Sequence, residues 1–538
     1  MYNNSKPIIA YLSTTKMKKY NTNIVYVFSF LIMSLLIGAN LYAQQLKVEI
    51  NRNKVFQTID GFGASDAWRC QFVGKNWPES KKEKIAELLF SKELDKNGNP
   101  KGIGLSLWRF YIGAGTAEQG DSSEIKNEWR RADSFIDATG NYNWNKQQGQ
   151  QWFLNKAKSY GVEKFLAFSI AAPVQWSKNG KGFGVGNKDG EINLKEEHFD
   201  DYAAFMVAFL KHFKSKGLSF DYLSPINEPQ WDWETKTQEG TPATNDNVLK
   251  LTQLLDAHIE KSNLDTKIVL AEAADLRWLY SNFNKPERGN QIDYFFSQKK
   301  SFKNVENKIS GHSYFTTWPV DSLIAIRQKL NDKLAKHPKL EYWQSEFCIL
   351  EKSDDIGGGG KRDLGMDTAL YVARVIHADL TLANASSWQW WTAISDADFK
   401  DGLIYLDTGI ENDMYNKESL KKDGNFHDSK LLWALGNFSR FVQPNMVRID
   451  IKSSSNKELK DQYKDLMLSA YLNTKTSEVS IVAINYSDEN KELEIPGVTL
   501  DKLFVTSKDK NLEATSISKN NISIEARSIS TLTGLLIK

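Results

Sequence analysis

Between Thr58 and Trp391, short runs rich in β-branched and aromatic residues alternate with longer segments of helical periodicity. There are eight such runs: TIDGFGA from Thr58, LSLWRFYI from Leu105, KFLAFSI from Lys164, YLSPIN from Tyr222, KIVLAEA from Lys267, KISGHSY from Lys308, LEYWQSEF from Leu340 and ASSWQWW from Ala385. Between them lie apolar stripes such as Val248, Leu251, Leu255 and Ile259 behind a Thr244/Asn245 cap, and Leu370, Ala373, His377 and Leu380. A strand followed by a helix can return parallel to its predecessor, and eight such returns close a cylinder. The pattern predicts an α/β fold, a (β/α)8 TIM barrel over residues 57–438 with enlarged loops. A doubly wound open sheet is the competing arrangement, since it uses the same alternation.

Beyond about residue 440 the helical pattern stops. LMLSAYL, EVSIVAINYS, KELEIPGV, KLFVTS, NISIEA and STLTGLLI alternate apolar with polar residues between turn-forming residues, which predicts a C-terminal antiparallel β-sandwich over residues 439–538. Residues 44–56 alternate likewise, so a strand there is expected to pair into that sandwich and let both chain ends close one domain.

Ahead of this strand, Lys16, Lys18 and Lys19 precede the apolar run IVYVFSFLIMSLLIGANLYA, which ends in small residues at Ala39 and Ala43. This is the layout of a signal peptide, residues 1–43, cleaved after Ala43; the alternative is a retained membrane anchor. The mature protein is expected to be secreted or periplasmic, without stable membrane insertion, and monomeric. Cys70 and Cys348 are expected to be buried free thiols, since a domain this large needs no disulfide.

Charge argues against one class of partner. With 69 basic and 67 acidic residues, and no long basic block, nucleic acid is excluded as a ligand. The 16 tryptophans point elsewhere, because exposed indoles call for flat, partly apolar partners, and sugar rings are such partners.

The stretch LSPINEPQWDWE places Glu228 at the carboxyl end of the fourth run, and YWQSEF places Glu346 at the end of the seventh. In a closed barrel all strand ends converge on one face, so the two carboxyls can meet across its mouth. Such a pair meets the needs of glycosidic bond hydrolysis: an acid for the leaving oxygen and an anion at the sugar carbon. Asn227 is placed to hold a neighbouring hydroxyl, and Pro229 ends the strand sharply.

TIDGFGAS, GIGLSLWRFYIGAG, SPINEPQWDWE with QEGTPATN after it, YWQSEFCIL and YVARVIHADLTLANASSWQWWTAIS resemble glycoside hydrolase family 30, a retaining family of clan A. The likeness runs from about Gly61 to Trp391, and within the family it is greatest to endo-β-1,6-galactanases acting on arabinogalactan side chains. The resemblance implies Glu228 as acid/base and Glu346 as nucleophile, with Asn227 on the 2-hydroxyl and Arg109 orienting the nucleophile. It also implies that His312 and Tyr314 line the pocket and that Trp390 or Trp391 floors it, the other packing inward. Trp68, Trp176, Trp231 and Trp233 are candidates for outer sugar subsites. At the third strand, FSIAAPVQWS puts Ile170, Ala171 and Ala172 where similar galactanases carry polar residues, which bears on sugar identity.

GGGGKRD from Gly357 lacks the hydroxyl residue of a phosphate loop and reads as a flexible loop over the cleft. DKNGNPKG from Asp95 lacks calcium-loop spacing, and neither a zinc helix nor a Gly-x-Ser-x-Gly elbow occurs. No metal or cofactor is expected. The functions in view are an endo-acting galactanase, another specificity such as β-1,6-glucanase or xylanase, and a carbohydrate-binding barrel without turnover.

Overall fold

Eight parallel strands close into a barrel, in the order of the chain, in the computed structural model, which describes residues 45–184, 190–297, 302–517 and 522–537. The expected export segment lies outside the described residues. After β1 (Leu46–Thr58), the barrel strands are β2 (Gly61–Ser65), β3 (Leu107–Ile112), β4 (Lys164–Ser169), β5 (Tyr222–Ser224), β6 (Lys267–Ala273), β7 (Val305–His312), β8 (Glu341–Glu346) and β9 (Ala385–Trp390). Each falls within or overlaps one of the eight runs read from the sequence. The closing pair, β2 on β9 in parallel register, excludes the open sheet.

Sequence and packing agree in the helix Asn245–Ser262. Thr244 accepts from the backbone of Asn247, whose own side chain reaches back to Thr244, so two of the orphan amides at the helix start are satisfied. Val248, Leu251, Leu255 and Ile259 are all buried. The helix Met366–Thr381 is buried on every side from Thr368 to Leu380, wider than the stripe read from its sequence. The reason is a second layer: Tyr463, from the C-terminal region, packs on His377 at 5.4 Å. Between β6 and β7 the described residues hold only short turns of helix, Arg277–Tyr280 and Asp293–Ser297, in place of a full barrel helix.

The two-residue period of a strand divides the barrel interior into layers. Leu107, Leu166, Tyr222, Val269 and Trp343 form an apolar plug at its base. Two residues beyond Leu107, Arg109 sits fully buried above that plug, and two further on Tyr111 does the same.

After the last barrel strand comes a small sheet that the sequence reading did not anticipate: β10 (Ile394–Ser395), β11 (Ile404–Asp407) and β12 (Asn425–Asp428). The remaining strands are β13 (Val447–Ser453), β14 (Leu466–Leu472), β15 (Glu478–Asn485), β16 (Lys491–Glu494), β17 (Val498–Thr506), β18 (Glu513–Thr515), β19 (Ile522–Ile524) and β20 (Ser528–Leu536). They form a nine-stranded sheet with β1, which lies between β13 and β16. Alternation sorts its two faces. Ile481 and Ala483 join the sandwich core, whereas Val482 and Ile484 join the cluster continuous with the barrel.

Cys70 and Cys348 are buried and unpaired. The glycine run is held, contrary to the reading of a flexible loop. Lys400 Nζ donates to the carbonyls of Gly358 (2.8 Å) and Gly360 (3.1 Å), and a side chain at Gly359 would collide with Phe399 and the Ile349 carbonyl. Among the described residues, no helix is long and apolar enough to cross a membrane.

Candidate active site

Glu228 and Glu346 meet at the carboxyl face of the barrel, as part of the lining of a cavity of about 430 Å³. Ligand atoms of Glu228, Glu346 and His312 all lie within 4.8 Å of one another. That closeness puts the two carboxyls on the short side of the gap that separates double-displacement sites, about 5 to 5.5 Å, from single-displacement sites, about 6.5 to 9.5 Å.

Both oxygens of Glu346 accept hydrogen bonds. Arg109 Nη1 donates to Oε2 at 2.5 Å and the Tyr314 hydroxyl to Oε1 at 3.0 Å. The other arm of Arg109 reaches Asn227 Oδ1 at 2.9 Å and Glu272 at 3.3 Å. One fully buried guanidinium thus fixes the anion and turns the Asn227 amide nitrogen away from itself.

Glu228 is in a different environment. Its Oε1 lies 2.8 Å from His312 Nδ1, and its backbone takes a left-handed φ of 47°, uncommon for a residue with a side chain. Burial, together with the charge of Glu346, pushes its pKa up despite the opposing pull of His312 and Arg109. Two carboxyls held unequally are the condition for dividing acid from nucleophile work.

Behind this pair stands a third carboxyl that the sequence reading missed. Glu272, at the end of β6, accepts from Ser345 (2.7 Å) and Arg109, and lies 2.9 Å from His312 Nε2. Burial would raise its pKa, but Arg109, His312 and Ser345 outweigh burial and bring it down to about 2. His312 responds in the other direction: burial disfavours its charge, yet Glu346, Glu228 and Glu272 raise its pKa to about 10. The imidazolium therefore donates from Nε2 to the Glu272 carboxylate and from Nδ1 to the carboxyl of Glu228. Glu228, His312 and Glu346 are close enough to surround a cation, and both ring nitrogens of His312 already face carboxyls, Glu228 and Glu272. Glu272 carried the same signal as its partners, an acid ending an apolar strand in KIVLAEA.

The tryptophans separate into two groups. Trp391, Trp231 and Trp233 line the cavity, with Tyr314, Ile170, Phe315 and Leu350. Trp233 donates Nε1 to the carbonyl of Glu228 at 3.1 Å, and its ring lies so close to Gly240 that a Cβ there would meet it at 2.2 Å. Trp390 is the inward member of its pair, donating to the Asp401 carbonyl at 2.9 Å. The other two are corrected: Trp68 is 2% exposed and stands behind Trp391 with ring centroids 5.1 Å apart, and Trp176 packs on His198 and Phe205 away from the cavity lining. Loop folding after β2 and β4 directs both rings into packing. Arg109 and His312 lie beneath the lining, fully buried, and act on it through the residues they hold.

Glu239, also missed, is fully buried in the loop that carries Trp233. It accepts from the hydroxyls of Tyr111 and Thr116 and from the backbone of Ala114. Burial raises its pKa to about 7 against these bonds. It ties that loop to the end of β3.

Known proteins resemble this chain in sequence and in fold. The model of O-Glycosyl hydrolase family 30 matches residues 45–405. An endo-β-1,6-galactanase of Hypocrea rufa is 24% identical over 395 residues, 68% of this chain and 72% of that protein. A solved structure of a conserved exported protein from Bacteroides fragilis superimposes with a TM-score of 0.84 at 37% identity, covering 91% of this chain and 100% of that one. The catalytic domain of a family 30 xylanase C from Talaromyces cellulolyticus shares the fold, with a TM-score of 0.65, 19% identity and coverage of 91% and 99%.

Proposed function

This chain belongs to O-glycosyl hydrolase family 30, and from that membership we propose that it is an exported, retaining endo-hydrolase of β-1,6-linked galactan, such as the side chains of arabinogalactan. The observation that carries the mechanism is the close approach of Glu228 and Glu346 in unequal surroundings. Glu346, aligned by Arg109 and Tyr314, attacks the anomeric carbon while Glu228 gives its proton to the departing oxygen. The covalent glycosyl ester is then opened by a water that Glu228 deprotonates. Two inversions at one carbon return the starting configuration. Asn227, held by Arg109, offers its amide N–H to the 2-hydroxyl of the sugar under attack.

The galactan assignment is supported by the LSLWRFYIGAG, NEPQWDW and QEGTPATN segments and by the Hypocrea rufa relative. Ile170 on the cavity wall favours a second reading, β-1,6-glucanase or xylanase, because an apolar contact there replaces hydrogen bonding to the sugar. Export and cleavage after Ala43 are supported by the Lys-flanked apolar segment, and the mature enzyme is taken to act as a monomer. Incubation with β-1,6-galactan, arabinogalactan, β-1,6-glucan and xylan, reading reducing ends and product length, tests the substrate. Oligosaccharides from β-1,6-galactan and arabinogalactan, and none from glucan or xylan, are expected; release from glucan or xylan without galactan cleavage would replace this specificity.

A further inference from the structure

Alternation along VRIDIKS in β13 turns Val447, Ile449 and Ile451 into the sandwich core and Arg448, Asp450 and Lys452 to the opposite face. Those three polar residues line a second cavity, of about 420 Å³, with His377, Ser453 and Ser455. It shares no lining residue with the catalytic cavity. Its place is the other end of the barrel, since Arg448 is held by Gln57, just ahead of β2, and by Asn384, just ahead of β9. Arg448 is only 6% exposed. Nε donates to Gln57 Oε1 at 3.0 Å and Nη2 to Asn384 Oδ1 at 2.5 Å, both neutral amide oxygens, and the guanidinium lies 3.7 Å from the centroid of the Phe56 ring. Nη1 has no hydrogen-bond partner among the described residues. Asp450 is the carboxylate that acts on this cation, and its own Oδ1 accepts from Lys54 Nζ at 3.0 Å. Burial outweighs Tyr471, Tyr463 and Asp450 and brings the pKa of Arg448 down to about 10. His377, equally buried, has no partner for Nδ1, and burial with the charge of Arg448 lowers its pKa to about 3, so its ring is neutral. Lys452, exposed at the edge of the cavity, adds a second positive charge.

We propose that this cavity binds a phosphate or sulfate group, free or as the ester of a small hydroxylated molecule, between Arg448 and Lys452. A buried guanidinium whose partners are amides gains most from an oxyanion, which accepts several hydrogen bonds at once and supplies the counter-charge. Tetrahedral oxyanions present acceptors in every direction, and the wall offers donors to meet them. Ser453 Oγ accepts the backbone N–H of Ser455, and Ser455 Oγ that of Lys457, so both hydroxyl protons remain for a ligand. The site stands apart from the catalytic carboxyls and does not depend on which glycan they cleave.

Calorimetric titration of the full chain with inorganic phosphate at pH 7 tests it. Saturable binding is expected with a Kd of about 1 mM or tighter, displaced by sulfate and weakened as chloride is added. Arg448→Gln should weaken binding about tenfold or more, and Lys452→Gln, at an exposed position, about threefold. Should Arg448→Gln fail to fold, Lys452→Gln and the displacement by sulfate carry the test. Glycerol 3-phosphate distinguishes the sources: tighter binding than phosphate assigns the site to an ester, and equal or weaker binding assigns it to the free ion. Because the two cavities share no residue, saturating phosphate should leave KM for an aryl glycoside within about twofold of its value without phosphate. Absence of saturable binding, binding that either variant keeps at wild-type strength, or competition between phosphate and the glycoside overturns the proposal.

Discussion

The backbone N–H of Glu228 donates to the carbonyl of Glu272 at 3.0 Å, joining the end of one barrel strand to the end of the next. Both residues take left-handed φ values, 47° and 44°, which few residues with side chains adopt. The contact aims one carboxyl into the cavity and the other beneath it, and His312 spans the two.

Division of labour between the cavity carboxyls sets the first expectation. Glu346→Gln should lower turnover of every glycoside by about 10⁴-fold or more. Glu228→Gln should spare the first step when the leaving group is an acidic phenol, with azide restoring turnover. Proton NMR of the first product should show the substrate's anomeric configuration. Equal, unrescued loss in both variants, or an inverted product, contradicts the assignment.

Glu272→Gln removes a buried anion and leaves Arg109 and His312 with surplus charge. The wild-type carboxyl is drawn from its ordinary 4.5 down to about 2, so its stabilisation is present above about pH 4.5 and is lost as pH falls toward 2. Urea unfolding at pH 7 should show a loss on the order of 3 kcal/mol, shrinking at pH 3. A deficit independent of pH would separate Glu272 from the charge network.

His312→Gln tests how Glu228 is tuned. The imidazolium lowers the pKa of Glu228, so removing it should raise that pKa and carry the alkaline limb of kcat/KM upward by about one pH unit. The stabilisation from His312 itself is complete below about pH 6.5 and is lost as pH climbs through about 10. An alkaline limb that stays in place, or moves down, would assign it to another group.

Trp231 and Trp233 should behave differently. Trp231 packs edge-on against Trp278 and Phe315 at the cavity wall, so Trp231→Ala should lower kcat/KM on polymer about tenfold while sparing an aryl glycoside. Trp233 also holds the Glu228 carbonyl, and Trp233→Ala should reduce activity on both. Parallel losses with a lowered Tm in Trp231→Ala would make it a packing residue.

Trp176→Ala should leave kcat/KM on polymer within about twofold and lower only Tm, since its ring packs on His198 and Phe205. A tenfold loss on polymer alone would return it to the substrate path.

Strand runs and helical stripes are local properties of the chain, so the eight barrel strands, the joining of β1 to the C-terminal sheet and the placing of Glu228 and Glu346 at strand ends were legible without coordinates. Barrel closure makes strand ends converge whatever the intervening loops do, which is why two glutamates far apart in the chain could be paired from the sequence. Partnership beneath the surface is different. That Glu272 shares His312 with Glu228, and that Trp68 and Trp176 turn into packing while Trp231 and Trp233 face the cavity, depend on side-chain direction and loop path. Those are settled by packing between segments that no local periodicity relates, and only the tertiary structure decides them.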